Sequence, residues 1–262
     1  MLTTDYVPGA PDWLDLGCRD LTAAEAFYRA LLGWEFRSAG PDADGYGVFE
    51  LDGRTVAAGG PLRGRAARPA WTLSFETADA DATAEAVERA GGSVRTAPED
   101  VPGHGRLARF ADPAGAGFAV WQPGATVGLD RVGAGALCWT ELYTTDSDKA
   151  MRFYASVFSW DSQDMPLPGG AGVYKVVSRA GGGPELSHGG IMQLPADMLP
   201  DGSYWQPYFA VSDADVAVET ATAHHGGVMM PATDMEGVGR IALLSDTEGA
   251  LFGVLEPPRQ AA

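Results

Sequence analysis

The chain carries two copies of one module, because its sequence repeats itself 126 residues downstream. Trp13, in the run Trp-Leu-Asp-Leu, is matched by Trp139 in Trp-Thr-Glu-Leu, and the same pattern of aromatic residues follows each. A second block, which closes each copy, repeats at a spacing of 134 residues. An internal duplication of this kind constrains the fold more than any single residue does. The 262 residues are therefore predicted to form two domains, 1–128 and 129–262.

Each copy has the order strand, helix and strands, followed by the same order again. Asp20 and Asp146 each precede apolar residues at helical spacing, which predicts an N-cap and a helix after each. A segment rich in Gly, Pro and Met, residues 180–204, lengthens the second copy. This insertion explains why the spacing drifts from 126 to 134 residues, and the glycine-rich stretch 123–135 is predicted to link the copies.

Composition excludes several classes of partner. The formal net charge of −17 repels phosphate backbones, so we predict no nucleic-acid partner. The sequence has no run of about 18 uncharged apolar residues and no signal-like start, so we predict no membrane partner and a cytoplasmic location. Cys18 and Cys138 are expected to be reduced and structural.

The repeated motifs resemble those of the vicinal oxygen chelate superfamily, which includes glyoxalase I, bleomycin-resistance proteins and extradiol dioxygenases. Within it, the chain is similar to tandem glyoxalase-like proteins of actinomycetes. The resemblance implies an α+β fold of two tandem glyoxalase-like domains, each made of two βαβββ modules that form a cupped sheet whose concave side binds a small molecule. It marks the fold well and the activity poorly, because such folds host many chemistries. The residues that carry it are Asp20, Phe27-Tyr28, Gly33-Trp34, Asp112–Gly115 and their counterparts Asp146, Phe153-Tyr154, Ser159-Trp160 and Asp246–Gly249.

The same resemblance allows the family's metal sites to be compared position by position. Metal-dependent members carry a His or Gln in the first strand, a ligand at the start of the middle strand and a Glu in the last strand. The corresponding positions hold Trp13, Ala70 and Ala119 in the first copy, and Trp139, Gln206 and Gly253 in the second. Since a catalytic metal generally needs about three protein ligands, we predict no metal site and no cofactor.

Two carboxylates, Asp15 and Glu141, are the candidate catalytic residues. Strand alternation places each between aromatic or small residues, on the face opposite the leucines that pack against the helix. A carboxylate there is able to act as a general base or accept a hydrogen bond from a ligand hydroxyl. The alternative, left open here, is a structural salt bridge to the repeated arginines Arg106 and Arg240.

Large flat side chains beside a few polar groups suit a planar, partly apolar ligand. The alternative is that the rings fill the cup. The second copy is chemically richer, and for His188 an ordinary structural role or ligand contact is weighed against metal ligation. The predicted ligand-binding residues are Trp13, Trp71, Trp139, Tyr143, His188, Trp205, Gln206 and Tyr208.

Two functions remain open from the sequence. The first is a metal-independent protein that binds a small planar organic molecule, either to sequester a natural product or as a biosynthetic accessory. The second is an enzyme, either a metal-free, carboxylate-assisted isomerase, lyase or cyclase, or a metal-dependent glyoxalase or dioxygenase with non-standard ligands. Because the duplication supplies both halves of a site within one chain, a monomer is favoured over a homodimer.

Overall fold

The computed structural model describes residues 2, 4, 7–62, 64, 67–170 and 172–258. In the first copy, the two modules have the same element order. The first module consists of β1 (Pro11–Cys18), α1 (Leu21–Leu32), β2 (Glu35–Ser38), β3 (Gly47–Leu51) and β4 (Arg54–Pro61). The second consists of β5 (Ala70–Glu76), α2 (Ala80–Arg89), β6 (Ser93–Val101), β7 (Gly105–Ala111) and β8 (Gly117–Pro123).

The second copy repeats this order element by element. Its first module consists of β9 (Leu137–Thr144), α3 (Ser147–Phe158), β10 (Asp161–Pro166), β11 (Val173–Ser178) and β12 (Ser187–Gln193). Its second module consists of β13 (Tyr204–Ala210), α4 (Ala214–Ala223), β14 (Gly227–Met235), β15 (Gly239–Ser245) and β16 (Leu251–Glu256). Each module is therefore a βαβββ unit, as the duplicated sequence predicts.

The described strands form two eight-stranded sheets, one for each copy. The orders are β2-β3-β4-β1-β5-β8-β7-β6 and β10-β11-β12-β9-β13-β16-β15-β14, so the two sheets have the same topology. The predicted α+β class with two tandem domains of two βαβββ modules is confirmed. The edge strands β2 and β10 are not predicted from the sequence, because β2 is only four residues long and every residue of β10 is exposed. Neither strand has the alternating burial on which a prediction depends.

The helices begin where the sequence predicts. The Asp20 carboxylate accepts a hydrogen bond from the Ala23 amide at 3.0 Å, and Asp146 accepts one from the Lys149 amide at 2.8 Å. Both are side-chain N-caps, which satisfy donors that the first helical turn leaves unpaired. No helix in the described part of the chain is long and apolar enough to cross a membrane.

The chain also divides into two compact units, each of which combines one module of each copy. Helices α2 and α3 pack together in unit 1, and α1 and α4 pack together in unit 2. The predicted domain boundary at 128/129 stays a prediction. Unit 1 comprises residues 1–13, 72–128 and 139–206, and unit 2 comprises residues 14–71, 129–138 and 207–262.

The core of each unit is a cluster of aromatic rings. In unit 1, the Trp160 ring lies 5.1 Å from both Phe75 and Tyr154, measured between centroids. In unit 2, Trp34 takes the equivalent place and lies 5.4 Å from Tyr28. Trp34 and Trp160 are therefore core residues, as their position after each helix predicts.

A buried hydrogen-bonded chain links the tyrosine of each helix to the aspartate of a turn. In unit 1, Trp205 donates to the Tyr154 hydroxyl at 2.8 Å, and that hydroxyl donates to Asp112 at 3.3 Å. In unit 2, Trp71 donates to Tyr28 at 3.0 Å, and Tyr28 donates to Asp246 at 3.2 Å. Burial raises the pKa of all four acidic groups, most strongly the two tyrosine hydroxyls. The repeated motif residues are therefore structural.

This chain of contacts leads to a stability prediction. Tyr154→Phe leaves the Trp205 indole N–H without its acceptor and removes a donor from Asp112, so we expect a loss of about 1–3 kcal/mol in the free energy of unfolding. Urea denaturation of wild type and variant measures it. Tyr204→Phe, which changes a half-buried tyrosine of the same unit, is the matched comparison. Equal stability of Tyr154→Phe and wild type would contradict the structural role.

Candidate functional site

A buried carboxylate, Glu141, lies at the centre of β9 with a tyrosine bound to it. The Tyr174 hydroxyl, from β11, hydrogen-bonds to Glu141 and accepts a hydrogen bond from the Trp139 indole at 2.9 Å. Glu141 is 7 % exposed, whereas Trp139 and Tyr174 are half-buried. Burial, and then the charge of Glu141, raises the pKa of Tyr174 well above its usual range. Trp139, Tyr174 and Glu141 thus form one connected polar group on this side of the sheet.

The neighbouring strand β13 adds an amide and an aromatic ring to the same side. The rings of Tyr143 and Tyr204 are 5.2 Å apart, and Ser203 donates to Thr144 at 3.1 Å. The strands are adjacent, so side-chain alternation places Gln206 beside Glu141. We call this side of the second sheet, with Trp139, Glu141, Tyr143, Tyr174, Tyr204 and Gln206, the Glu141 face.

Gln206 carries an amide whose hydrogen-bonding capacity is incompletely used. The side chain is 2 % exposed, and its Nε2 has no hydrogen-bond partner among the described residues. Leaving a buried amide donor unpaired costs about 1–3 kcal/mol. A buried group of this kind therefore calls for an explanation, and one explanation is a ligand that accepts its hydrogen bond.

Close approach to the sheet explains one glycine of this site. A methyl group at Gly190, which pairs with Glu141 in register, would overlap the hydroxyl end of Tyr174. The Tyr174 ring therefore lies directly on the backbone of β12. Only glycine allows that approach, which brings the hydroxyl group to the carboxylate.

The first copy has a more open version of the same pair. Tyr46 donates to the Asp15 carboxylate at 2.6 Å, but Tyr46 is 37 % exposed and Asp15 is only half-buried. A ligand hydroxyl bound there would compete with water. The buried carboxylate of the second copy is the stronger candidate.

The repeated arginines have other partners. Arg106 pairs with Asp81 and with Asp100, the latter at 3.0 Å. Arg240 occupies the equivalent position in the second copy and binds the matching pair of aspartates at 2.8 and 3.0 Å. Arg106 and Arg240 therefore do not form salt bridges with Asp15 and Glu141. Each of these carboxylates is instead hydrogen-bonded to a tyrosine.

The structure corrects the placement of Trp71 and Trp205. Both lie in the aromatic cores, 6 % and 5 % exposed, with their indole N–H groups bound to Tyr28 and Tyr154. The physical reason is strand alternation: Trp205 and Gln206 are adjacent, so their side chains point to opposite faces. Both indoles therefore point into the aromatic cores, away from the faces that carry Asp15 and Glu141.

His188 is also turned away from the Glu141 face. Its ring contacts the Trp160 ring at 4.8 Å between centroids, and it is 3 % exposed. Alternation from Gly190 would put His188 on the same face as Glu141, but the register between β11 and β12 shifts at this residue. The shift inserts one extra residue into β12, and such a bulge re-aims the side chain.

Trp13 and Tyr208 lie in different surroundings. The Trp13 ring stacks on Trp121 with centroids 6.5 Å apart. Tyr208 is 4 % exposed, and its ring covers Gly253, the residue with which it pairs in register. Tyr208 therefore fills space on its sheet.

Two of the three positions at which the family binds a metal ion hold no metal-ligating side chain in the second copy, namely Trp139 and Gly253. The Trp139 indole is a hydrogen-bond donor only, and it is bound to Tyr174. The position of the closing glutamate holds Gly253, and the Tyr208 ring occupies the space beside it. Within the described ranges, no group of three or more His, Cys, Asp or Glu side chains is arranged to hold a metal.

Sequence reasoning found Glu141 and missed its partners. Tyr174 and Tyr204 were not predicted as site residues, although Tyr204 is adjacent to Trp205 and Gln206 in the sequence. The signal for Tyr174 was available in the first copy, where Tyr46 stands in the corresponding strand region. Which residue of β11 meets β9 depends on register through β12, which a single sequence does not reveal.

Two known proteins have sequences similar to almost the whole chain. "Putative glyoxylase CFP32" of Mycobacterium tuberculosis is 36% identical over 98% of this chain and 98% of its own length. "Anthracycline biosynthesis protein DnrV" of Streptomyces peucetius is 38% identical over 97% of this chain and 95% of its own. The likeness therefore extends over both copies.

Family and structure comparisons point the same way. Residues 10–120 match the model of the Glyoxalase/Bleomycin resistance protein/Dioxygenase superfamily. The fold is similar to the 2,3-dioxygenase LapB from Pseudomonas sp. KL28, with a TM-score of 0.66 and 14% identity over 97% of this chain and 96% of that one. It is also similar to the Mn(II)-bound glyoxalase from Novosphingobium aromaticivorans, with a TM-score of 0.64 and 17% identity over 95% of this chain and 83% of that one.

Proposed function

The chain belongs to the Glyoxalase/Bleomycin resistance protein/Dioxygenase superfamily, and from that premise we propose that its Glu141 face binds a small, planar, partly apolar organic molecule without a metal ion. The role would be sequestration of a natural product or an accessory step in its biosynthesis. The observation that carries the proposal is the buried Glu141 carboxylate with the Gln206 amide beside it.

The aromatic side chains supply a surface for a flat ligand. Trp139, Tyr174 and Tyr204 are half-buried, so their rings are accessible in part while the polar groups beneath them are buried. Rings of this kind bury much apolar area and retain a polar group at one end. A planar molecule laid against them would reach the carboxylate and the amide at its edge.

The polar groups define what that edge must carry. Glu141, already bound by Tyr174, has further acceptor sites on its two oxygens and would accept a hydrogen bond from a ligand hydroxyl. The Gln206 Nε2 would donate to a ligand carbonyl oxygen. A hydroxyl and a carbonyl on one flat ring system match this pair, and the relative named for anthracycline biosynthesis supports such a class.

Independence from metal is supported by the residues at the family's ligand positions. Trp139 and Gly253 replace side chains that coordinate a cation in metal-dependent members. The hydrogen bond from Trp139 to Tyr174 assigns that indole another role. Orientation of the ligand would then rest on hydrogen bonds and ring contacts alone.

Binding of alizarin, a flat dihydroxyanthraquinone, tests the proposal through quenching of tryptophan fluorescence. Gln206→Leu removes the amide donor, and we expect it to weaken binding roughly three- to tenfold, the value of one hydrogen bond. Glu141→Gln keeps the shape but loses the charge, and we expect about tenfold or greater weakening because hydrogen bonds to charged groups are stronger.

Asp15→Asn is the matched control, since it makes the same charge-to-amide change in the first copy. Thermal melting of each variant separates loss of the ligand from loss of the fold. Alizarin affinity that is unchanged in both Glu141→Gln and Gln206→Leu would refute the assignment. Alizarin affinity that is unchanged after exhaustive chelation of metal ions would support metal independence. Loss of alizarin binding on chelation would contradict it.

A second candidate is a carboxylate-assisted isomerase or lyase at the same face. The bond between Tyr174 and Glu141 favours it, because a carboxylate and a hydroxyl held together are able to move a proton on a bound ligand. If alizarin-type ligands bind equally well to wild type and Tyr174→Phe but are chemically altered only by wild type, this candidate replaces simple binding.

A further inference from the structure

A second pair of buried polar groups lies on the first sheet, on the strand β5. Glu76 is 8 % exposed and Ser74 is fully buried. Across the described residues, neither the Glu76 Oε2 nor the Ser74 hydroxyl has a hydrogen-bond partner. Residues two apart on a strand share a face, so the carboxyl and the hydroxyl point to the same side of the sheet.

Two tryptophans cover this pair. Glu76 pairs in register with Trp121 of β8, and Trp13 of β1 stacks on Trp121 with ring centroids 6.5 Å apart. Strand β5 lies between β1 and β8 in the sheet. The two rings therefore meet across β5 and cover the face that carries Ser74 and Glu76. Trp13 is half-buried, so part of its side chain is accessible to solvent.

The second copy is built differently at this place. Ser74 corresponds to Tyr208, and Ala119, its partner in register, corresponds to Gly253. In the second copy the Tyr208 ring occupies the space beside Gly253. In the first copy the same place holds a serine hydroxyl and an alanine methyl, and the larger Trp121 ring stands where the second copy has Leu255. Ser74 and Ala119 are 0 % and 1 % exposed, so the buried carboxyl of Glu76 lies beneath tryptophan rings where the second copy has a tyrosine ring.

In the part of the chain that the structure describes, no basic side chain is paired with Glu76. Burial alone raises the pKa of Glu76. The basic side chain that the register places on this face, Arg109 of β7, is exposed. Burying a carboxylate without a partner is costly, and a bound cation would repay that cost. Tryptophan faces attract cations through their ring quadrupole, and the net charge of −17 draws cations to the protein.

We infer that Glu76, Ser74 and the Trp13–Trp121 pair form a second ligand site, which binds a small organic cation such as a protonated or methylated amine. The cationic group would lie against the tryptophan rings and pair with the Glu76 carboxylate. The Ser74 hydroxyl would bind a polar substituent. This site is in the first copy and does not depend on the function proposed for the Glu141 face.

Choline and its uncharged isostere dimethylbutanol provide the test, with tryptophan fluorescence as the readout. We expect saturable quenching by choline and at least about tenfold weaker binding of dimethylbutanol, because the shapes match and only the charge differs. Glu76→Gln keeps the side-chain shape, and we expect it to weaken choline binding at least about tenfold. Lowering the pH to protonate Glu76 should weaken choline binding in wild type only.

Two controls keep the outcome interpretable. Glu88→Gln makes the same change at an exposed position of α2 and should leave choline binding unchanged. Thermal melting of Glu76→Gln should show a fold at least as stable as wild type, because an uncompensated buried carboxyl has been removed. The inference is overturned if choline fails to quench wild type, if dimethylbutanol binds as tightly as choline, or if folded Glu76→Gln retains wild-type affinity.

Discussion

Wild-type protein is expected to lose about 5 kcal/mol of its free energy of unfolding as the pH falls from about 6.5 toward 3, through His188 alone. The imidazole is 3 % exposed and packs against Trp160, and its two nitrogens have no hydrogen-bond partner in the part of the chain that the structure describes. Burial lowers the pKa of His188 from 6.5 to about 3.

The sign follows from where the proton binds. Between these pH values, the unfolded chain protonates His188 and the folded chain keeps it neutral. The contribution of His188 to stability is therefore complete above about pH 6.5 and is lost as the pH falls toward 3.

His188→Leu isolates this effect, because leucine packs against Trp160 without a titrating group. Urea denaturation over a series of pH values measures the difference between variant and wild type. The difference should grow as the pH falls, and at neutral pH the variant should be as stable as wild type or more so, since unpaired buried polar atoms are removed. His104→Gln, at an exposed histidine, is the control and should follow wild type. Parallel pH profiles for wild type and His188→Leu would contradict the neutral, buried state.

Trp160→Ala is expected to lower the free energy of unfolding by about 3–5 kcal/mol, or by more if the backbone group that Trp160 binds stays unpaired. Trp160 is 2 % exposed and its ring contacts Phe75, Tyr154 and Phe158, with centroid distances from 5.1 to 5.4 Å. Its indole also donates to the Gly9 carbonyl oxygen at 2.8 Å. Removing the ring leaves a cavity among rigid aromatic neighbours that cannot collapse easily.

Trp160→Phe separates packing from hydrogen bonding. This variant keeps an aromatic ring but loses the indole N–H. Its loss in the free energy of unfolding should therefore be less than half that of Trp160→Ala. Denaturant unfolding followed by circular dichroism measures both variants against wild type. If the phenylalanine variant is as unstable as the alanine variant, the hydrogen bond to Gly9, rather than ring packing, dominates at this position.

The repeat determined most of the fold. The 126-residue offset between Trp13 and Trp139 required two equivalent copies, and the N-caps Asp20 and Asp146 located the first helix of each. Signals of this kind depend only on residues close together in the sequence. They are a capping side chain, apolar residues at helical spacing and a glycine at the end of the helix. These signals do not depend on tertiary contacts, so the order strand, helix and strands is predictable without the edge strands β2 and β10.

The candidate site was predictable only in part. Glu141 was found because strand alternation in β9 is local. Its partner Tyr174 was missed, because the contact depends on two pairings, of β11 with β12 and of β12 with β9. His188 was placed on the wrong face because one extra residue in β12 inverts the alternation.

The sequence by itself determined the duplication, the order of elements and the identity of the carboxylates on the two sheets. Only the tertiary structure decided which polar groups meet: Tyr174 with Glu141, and the Trp13–Trp121 pair over Glu76. Periodicity fixes the face of a side chain within a strand, but its neighbours come from strands distant in the chain. Their register is set by the packing of the whole sheet.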